Sequence, residues 1–402
     1  MLPKLINFIY SPKGSIVRVG FDATNILGHS GIRTYTRELV LALASEFPDD
    51  EFLLYTTFSS SKKAVLQQFF GEYPNITIVG GLPHPRMLGN GLKRLTILTG
   101  SAAWRFHERK LDIVHLTDPY GTPALSGSFV ATINDIFPIT EEQYKNTYLE
   151  RQYLSRTPVL LKRADAIITP SGYVADTLHS RYPSCTLDIV PVHDAASVSF
   201  KPLAPDETLL RQYSLSENSY FLFVGRVDPR KNLSNLLEAY SLIPEDIRRK
   251  KHLVLVLSGS QKDKENFQAE NETFLKYRSV HTIEGISEDD LVQLYSSAVA
   301  FVFPSFAEGF GLPIIEAMQC GCPVITSNAS CLPEIAGDAA ILVDPHSLEE
   351  IASAMKAMID STDTRSRLIS RGFDQAKLFS WNLTAKHTME VYRNVMRDKC
   401  AR

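Results

Sequence analysis

The chain has 402 residues, of which 44% are hydrophobic and 22% are charged, so it is long enough to form two globular domains. Its formal net charge of −3 gives no bulk reason to expect nucleic acid binding. No stretch reaches the roughly 20 apolar residues that a membrane span requires, and the opening "MLPKLINFIYSPKGS" makes a poor signal peptide.

In the first half, short apolar runs alternate with helical patterns. A strand is predicted between Ser15 and Thr24, and an amphipathic helix between Gly31 and Phe47. Further strands are predicted in the runs "EFLLYTTF", "NITIVGG", "LDIVHLTD" and "SFVATINDIFPI". Strands that alternate with helices indicate a parallel sheet with helices on both faces.

Between Val192 and Glu207 the periodicity is lost and prolines accumulate, so we place the domain boundary there. The second half repeats the pattern with strands such as "SYFLFVGRVD" and "VAFVFPS", and Asn232 is predicted to cap a helix. We therefore predict an α/β protein of two Rossmann-like, doubly wound parallel-sheet domains, residues 1–197 and 198–375. Such pairs bind ligands in the cleft between the carboxyl ends of their strands.

The five cysteines, at positions 185, 320, 322, 331 and 400, are an odd number without the spacing of a disulfide framework. They indicate reduced thiols, and we expect a cytoplasmic protein. Cys320 and Cys322 have no second pair and no histidines nearby, so zinc binding is not expected there.

Two cations follow the first strand of the second half. Arg226 comes directly after "YFLFVG", and Lys231 lies just before the next helix. At the carboxyl end of a strand, an arginine and a lysine could together bind a diphosphate. The spacing alone also allows two solvated loop charges.

Two carboxylates, Glu308 and Glu316, bound the stretch "EGFGLPIIE". Pro313 suits the first turn of a helix, and Gly309 and Gly311 would let the backbone come close to a ligand. The free amides at such a helix start favour an anion, while the carboxylates would accept hydrogen bonds from sugar hydroxyls. The alternative is a generic helix-start acid and a solvated loop acid.

The stretches "GRVDPRKN" and "FVFPSFAEGFGLPIIEAMQCGCPVITSNASCLPEIAGDAAILVDP" closely resemble the retaining glycosyltransferases of family 4, which have the GT-B fold. The resemblance continues in "GHSGIRTYTREL", in "RADAIITPSGYVADTL" and in the "FSW" and "VY" of the tail, so it covers nearly the whole chain. It implies two domains that face each other across a cleft, with residues 376–402 as a helix that crosses back to the first domain.

The resemblance also implies roles for individual residues. Arg226 and Lys231 would hold the donor diphosphate and stabilise its departure. Glu316 would bind the nucleotide ribose, and Glu308, the other acid of the E-x7-E motif, would lie beside the donor sugar. The further donor-binding positions that it implies are Gly31, Gly225, Ile286, Gly309, Phe310, Gly311 and Leu312.

The chain departs from the family pattern after "FVAT", where the usual His-Asp is replaced by Asn134 and Asp135. Both are candidate catalytic residues, although asparagine can only exchange hydrogen bonds and cannot carry a proton charge. No side-chain base is required if the departing phosphate oxygen takes the acceptor proton. The chain has no D-x-D motif, so we predict no metal and no cofactor, with Arg226, Lys231 and helix amides stabilising the leaving group.

The sequence is most similar to the bacterial mannosyltransferase branch, which implies GDP-mannose as donor and a glycan or lipid-linked glycan as acceptor. A UDP-sugar such as UDP-glucose, or a dTDP-deoxysugar, stays open as the donor. The basic and apolar stretch from Leu88 to Lys110 is either an ordinary packed helix or a peripheral contact with an anionic membrane, at the inner face.

Three other functions are compatible with parts of the sequence. A nucleotide-cofactor dehydrogenase is disfavoured because no G-x-G-x-x-G follows the first strand. A catalytically silent nucleotide-sugar-binding protein is disfavoured by the complete set of Arg226, Lys231, Glu308 and Glu316, but Asn134 keeps it open. An inverting transferase or an epimerase would retain the fold and change the chemistry.

Overall fold

The structure, a computed structural model, describes residues 16–23, 26, 31–56, 60–80, 111–118 and 128–401. These residues form two parallel β-sheets connected by helices. Strands in the middle of both sheets are buried at every residue, which requires cover on both faces. The architecture is the two-domain, parallel-sheet α/β fold that the sequence predicts.

The first sheet contains seven strands in the order β3-β2-β1-β4-β5-β6-β7. The order reverses between β1 and β4, so loops at the carboxyl ends of these two strands border a crevice. Phe21 on β1 is fully buried, and burying a side chain of this size contributes about 1.5–3 kcal/mol. The strands are β1 (Arg18–Asp22), β2 (Glu51–Thr56), β3 (Ile76–Gly80), β4 (Ile113–Leu116), β5 (Ser128–Thr132), β6 (Ala166–Thr169) and β7 (Ile189–Pro191).

The second sheet contains six strands in the order β10-β9-β8-β11-β12-β13, with the same reversal between β8 and β11. Loops that follow β8 and β11 therefore meet at the carboxyl edge of this sheet. The strands are β8 (Tyr220–Arg226), β9 (His252–Ser258), β10 (Val280–Ile283), β11 (Ala300–Phe303), β12 (Val324–Ser327) and β13 (Ala340–Val343).

The helices of the described residues divide between the two sheets. With the first sheet are α1 (Gly31–Glu46), α2 (Ser60–Phe70), α3 (Phe137–Thr140), α4 (Tyr148–Arg163) and α5 (Gly172–Arg181). With the second sheet are α6 (Glu207–Gln212), α7 (Leu233–Ser241), α8 (Glu245–Arg248), α9 (Gln261–Glu270), α10 (Glu272–Leu275), α11 (Glu288–Ser297), α12 (Leu312–Gln319), α13 (Leu332–Ala336), α14 (Leu348–Asp360) and α15 (Thr362–Ala376).

Short polar residues begin many of these helices. Their side-chain oxygen accepts a hydrogen bond from a backbone N–H two or three residues later, which satisfies a donor that the helix leaves unpaired. The caps are Thr147, Ser171, Asp206, Ser260, Ser287, Ser347 and Ser361. The predicted cap at Asn232 is wrong in one respect, because its side chain donates instead to the carbonyls of Pro304 and Pro345, at 2.9 and 2.6 Å.

The last helix, α16 (Trp381–Ala401), lies against the first domain. The Tyr392 hydroxyl is 2.6 Å from Nδ1 of His115 on β4, and Nε2 of that histidine is 2.8 Å from the hydroxyl of Thr132 on β5. Burial lowers the pKa of His115 to about 3, so the ring is neutral and has a structural role. Thr384 on the same helix donates to the backbone carbonyl of His193 at 2.7 Å.

Candidate active site

The candidate site lies at the carboxyl edge of the second sheet, where the order of strands reverses. Lys231 ends a 3₁₀ turn, Pro229–Lys231, that follows β8, and Glu308 lies in the loop between β11 and α12. Because β8 and β11 are neighbours, residues that are 77 apart in sequence come into contact. The sheet topology is what brings the two together.

Lys231 and Glu308 form a buried ion pair. The ammonium Nζ lies 2.5 Å from Oε1 of Glu308, and the two side chains are 10% and 7% exposed. Burial pushes the pKa of Glu308 up, but the charges of Lys231 and Arg230 outweigh it and hold that pKa below its ordinary value. Glu308 is therefore a carboxylate at neutral pH.

Arg230 is a site residue that the sequence prediction missed. Its NH1 lies 3.4 Å from Oε2 of Glu308, and its Nε lies 3.5 Å from Oδ1 of Asp228. The guanidinium carbon lies 3.9 Å from the ring centroid of Phe137, which belongs to the first domain. The position directly before Lys231 in "DPRKN" was the available signal, but nothing local indicated which way the side chain points.

Glu316 lies in the second turn of α12, eight residues after Glu308 in the sequence, and it is half-buried. The hydroxyl of the buried Tyr295 donates to its Oε2 at 3.1 Å. Burial raises the pKa of Glu316 to about 7, which the Tyr295 hydrogen bond only partly offsets. In the unliganded protein this carboxyl group therefore changes charge near neutral pH.

The loop between the two acids is held by backbone geometry. Gly311 precedes α12 with φ 102° and ψ 46°, a conformation that favours glycine, and Pro313 lies in the first turn as predicted. The Cys331 thiol donates to the carbonyls of Glu308 and Phe310, both at 3.2 Å. These contacts fix the backbone of the loop that leads into α12.

Gly309 is required by packing between the domains. A Cβ at this position would lie 2.1 Å from the backbone oxygen of Asn134 in the first domain. The two backbones can approach this closely only because residue 309 has no side chain. The Ser171 hydroxyl, also from the first domain, donates to the Gly309 carbonyl at 2.7 Å.

Asn134 and Asp135 lie at this interdomain contact, and neither side chain stands free in the cleft. The Asn134 amide donates to the carbonyl of Thr117 at 3.0 Å, so it holds backbone within its own domain. Asp135 accepts from the Tyr153 hydroxyl at 2.7 Å. Burial raises the pKa of Asp135, while Arg230 and the Tyr153 hydrogen bond act in the opposite direction.

The other residues that the sequence predicted for the site differ in burial and packing. Arg226 ends β8 with an exposed side chain and is not drawn into the buried cluster. A Cβ on Gly225 would meet the Phe223 ring at 3.0 Å, so packing against this ring favours glycine there. Gly31 begins α1 and is exposed, and the partly buried Ile286 and Leu312 pack against the core.

A second contact between the domains involves Glu334 on α13, which the sequence prediction also missed. Its carboxylate accepts from the backbone N–H groups of Gly172 and Tyr173, at 2.9 and 3.2 Å, at the start of α5. Nε2 of His193 lies 2.8 Å from the same carboxylate. A helix N-terminus favours negative charge, so the second domain caps a helix of the first.

Cys320 and Cys322 are buried and unpaired, as small packed thiols are. Within the described ranges, no three His, Cys, Asp or Glu side chains converge in a way that could hold a metal ion. The part of the chain that the structure describes also has no helix long and apolar enough to cross a bilayer. The stretch from Leu88 to Lys110, predicted to face either a membrane or the core, lies outside the described residues.

Comparison with known protein families gives two matches that divide the chain as its two sheets do. The family described as glycosyl transferases group 1 matches residues 206–375, and Glycosyltransferase Family 4 matches residues 29–193. The candidate site thus falls within the group 1 match, while Asn134, Asp135 and Phe137 fall within the family 4 match.

Individual relatives support the same assignment. The chain is 30% identical to O-antigen chain mannosyltransferase B of Escherichia coli over 90% of this chain and 96% of the relative. It is 29% identical to the serotype-specific mannosyltransferase WbdA of Escherichia coli over 67% of this chain, but this match spans only 34% of WbdA. Sucrose-phosphate synthase from Thermosynechococcus elongatus has a similar fold, with a TM-score of 0.73 at 20% identity, over 95% of this chain and 100% of that structure.

The relatives, the two family matches and the GT-B arrangement of two parallel sheets agree with one another. The chain is a member of the glycosyltransferases of family 4 and group 1, and it is an enzyme that transfers a sugar.

Proposed function

We propose that the protein is a retaining, metal-independent mannosyltransferase that transfers mannose from GDP-mannose to a glycan or lipid-linked glycan of a surface polysaccharide. The observation that carries the proposal is the position of Glu308, Lys231 and Glu316 around the start of α12. There a diphosphate would meet cations and free amides, and each sugar of the donor would meet a carboxylate.

The proposed chemistry needs no external base. The acceptor hydroxyl oxygen bonds to the anomeric carbon as the bond from that carbon to the phosphate oxygen breaks, and the hydroxyl proton passes to the departing phosphate. Arg226, Lys231 and the amides at α12 would stabilise the charge on the leaving diphosphate, and Glu308 would stabilise the positive charge on the sugar. The acceptor oxygen attacks from the face of the sugar from which the phosphate departs, so the anomeric configuration is retained.

The sugar assignment is supported by relatives, not by a pocket for mannose. O-antigen chain mannosyltransferase B covers nearly the whole chain, and its name supports mannose as the sugar and a polysaccharide as the acceptor. GDP as the nucleotide is our inference from the same branch of the family. A UDP- or dTDP-sugar donor is the alternative that a donor panel must separate.

We also propose that the enzyme acts in the cytoplasm, where it can reach nucleotide sugars. A lipid-linked acceptor would bring it to the inner face of the membrane, and the basic and apolar stretch from Leu88 to Lys110 is the candidate contact, with an ordinary packed helix as the alternative. Sedimentation with anionic and with neutral vesicles tests this part separately, because binding to neither would remove the membrane contact and leave the transferase proposal intact.

The central test is donor hydrolysis and transfer with GDP-, UDP-, dTDP- and ADP-sugars, with EDTA and with Mg²⁺ or Mn²⁺, and with thermal stability measured in parallel. Turnover of GDP-mannose in EDTA supports the proposal, and NMR of the product shows whether the α-anomer is retained. Turnover of another donor corrects the sugar, and dependence on metal refutes the charge assignment. Thermal stabilisation without hydrolysis or transfer, with a mannan-type acceptor present, would favour a silent binding protein.

A further inference from the structure

The charged groups around Glu308 come from both domains, and the carboxyl groups among them outnumber the cations. The second domain contributes Lys231 and Arg230 as cations and Asp228 and Glu308 as acids. The first domain adds the carboxyl group of Asp135, and two further groups that titrate at high pH also face the cluster, the Tyr144 hydroxyl and the Cys331 thiol. Two cations thus serve three carboxyl groups before any donor is bound.

A donor diphosphate makes this imbalance larger. Its negative charges would have to share Lys231, which is paired with Glu308 in the unliganded protein, at 2.5 Å. The diphosphate would also repel the Glu308 carboxylate, so the net electrostatic attraction that holds this carboxylate in place would be weaker. Glu308 therefore needs a second cation at the stage when its carboxylate must stay ionised and fixed beside the sugar.

We propose that Arg230 is a positioning residue that holds Glu308 in place when Lys231 engages the donor, and that Phe137 makes this hold depend on contact between the domains. The inference rests on the proposed role of Glu308 beside the donor sugar. It does not depend on which sugar nucleotide is used.

Arg230 is suited to this role because its own position is fixed on three sides. Its side chain is 15% exposed, its NH1 reaches Glu308 at 3.4 Å, and its Nε faces Asp228 at 3.5 Å. Its backbone carbonyl also accepts from the N–H of Phe306 at 2.8 Å. The exposed Arg226 has no such support, which makes it the more available cation for the diphosphate.

The first domain supplies the remaining support. The Phe137 ring lies under the Arg230 guanidinium at 3.9 Å and packs edge-on against Tyr144, with ring centroids 4.8 Å apart. The Tyr144 hydroxyl donates to Asp228, the second acid bound by Arg230. Such a cation–π contact is stronger when it is shielded from water, and it exists only while the domains touch.

The test compares Arg230→Gln, Arg230→Lys and Phe137→Leu with the wild type and with Arg211→Gln as a matched control. Arg211 also pairs with a glutamate, Glu207 at 2.6 Å, but on the exposed surface of α6. We expect kcat to fall about 10- to 100-fold in Arg230→Gln, with the donor KM within about threefold. We expect Arg230→Lys to recover part of this loss, Phe137→Leu to fall between, and the control to match the wild type.

A pH profile separates positioning from a structural effect. Without Arg230, Glu308 faces the carboxyl groups of Asp228 and Asp135 with one cation fewer, so the acidic limb of the kcat profile should move up by about one pH unit or more. An unchanged limb, or a KM that rises as much as kcat falls, would overturn the inference.

A second readout requires no turnover. The titration of Glu308 can be followed by ¹³C NMR of labelled carboxyl groups, with Glu308→Gln for assignment, and its pKa should rise in Arg230→Gln but not in Arg211→Gln. An unchanged Glu308 titration would refute the inference even in an active enzyme. Conversely, a wild type that turns over none of the donors would refute the proposed function, while this titration would still decide about Arg230.

Discussion

Replacing Gly309 by alanine should separate donor binding from catalysis. The new Cβ would lie 2.1 Å from the Asn134 carbonyl oxygen and 2.9 Å from Cβ of Asp135, whereas ordinary contacts begin at 3.4 Å. Both neighbours belong to the first domain, and the nearer one is backbone, so no side-chain rotation relieves the clash. The domains must instead separate locally by about 1.3 Å, and a misplacement of about 1 Å can reduce a rate 100-fold.

We therefore expect kcat of Gly309→Ala to fall about 100-fold, which corresponds to about 2.7 kcal/mol of transition-state stabilisation. Donor affinity, measured by calorimetry, should change by less than about threefold, because the proposed donor contacts lie almost entirely in the second domain. The cores of both domains are untouched, so the thermal midpoint should fall by only a few degrees.

Gly172→Ala is the control, since Gly172 lies at the other interdomain contact. Its Cβ would meet only the end of the Glu334 side chain, at 3.4 Å, and its N–H would be kept. We expect kcat within about twofold of the wild type, because this distance is an ordinary contact. A wild-type kcat in Gly309→Ala would refute the interdomain explanation, and so would a loss of donor affinity as large as the loss of kcat.

Three further results are expected. Glu316 has a pKa of about 7 and would bind ribose hydroxyls as a carboxylate. The affinity for the intact sugar nucleotide, measured by calorimetry, should therefore rise about tenfold from pH 6 to pH 8. If the same rise persists in Glu316→Gln, this residue is not its source. Arg226→Ala should lower kcat more than donor affinity, and wild-type steady-state kinetics would remove Arg226 from the site. Tyr392→Phe removes the hydroxyl that lies 2.6 Å from Nδ1 of His115. The free energy of unfolding, measured in urea, should fall by about 1–3 kcal/mol, while turnover per folded molecule should not change. An unchanged free energy of unfolding would show that this hydrogen bond contributes nothing.

The sheets and helices were predictable from sequence because their causes are local. Apolar runs such as "SFVAT" and "AFVF" became strands buried at every residue, and Pro313 marked the start of α12. The reversal of strand order then places Lys231 and Glu308 together, so this part of the site followed from the fold alone. The prediction at Asn232 was wrong because two proline carbonyls, distant in sequence, compete for its amide.

The contacts between domains could not be predicted in the same way. The guanidinium of Arg230 packs on Phe137, 93 positions earlier, and Glu334 caps a helix that begins at Gly172. Neither contact has a periodicity or a spacing in the sequence, since each depends on how two separately folded surfaces meet. The glycine at position 309 was recognised as special, but its close approach to the backbone of the opposite domain had no signal in the sequence.

The position of α16 has a consequence for synthesis of the protein on the ribosome. His115 and Tyr392, which bond to each other, are 277 positions apart. Since synthesis adds about 5–20 residues per second, on the order of tens of seconds pass between the synthesis of β4 and that of the helix that packs against it. During that interval the second domain is made and can fold, so α16 can complete the first domain only after the whole second domain has been synthesised.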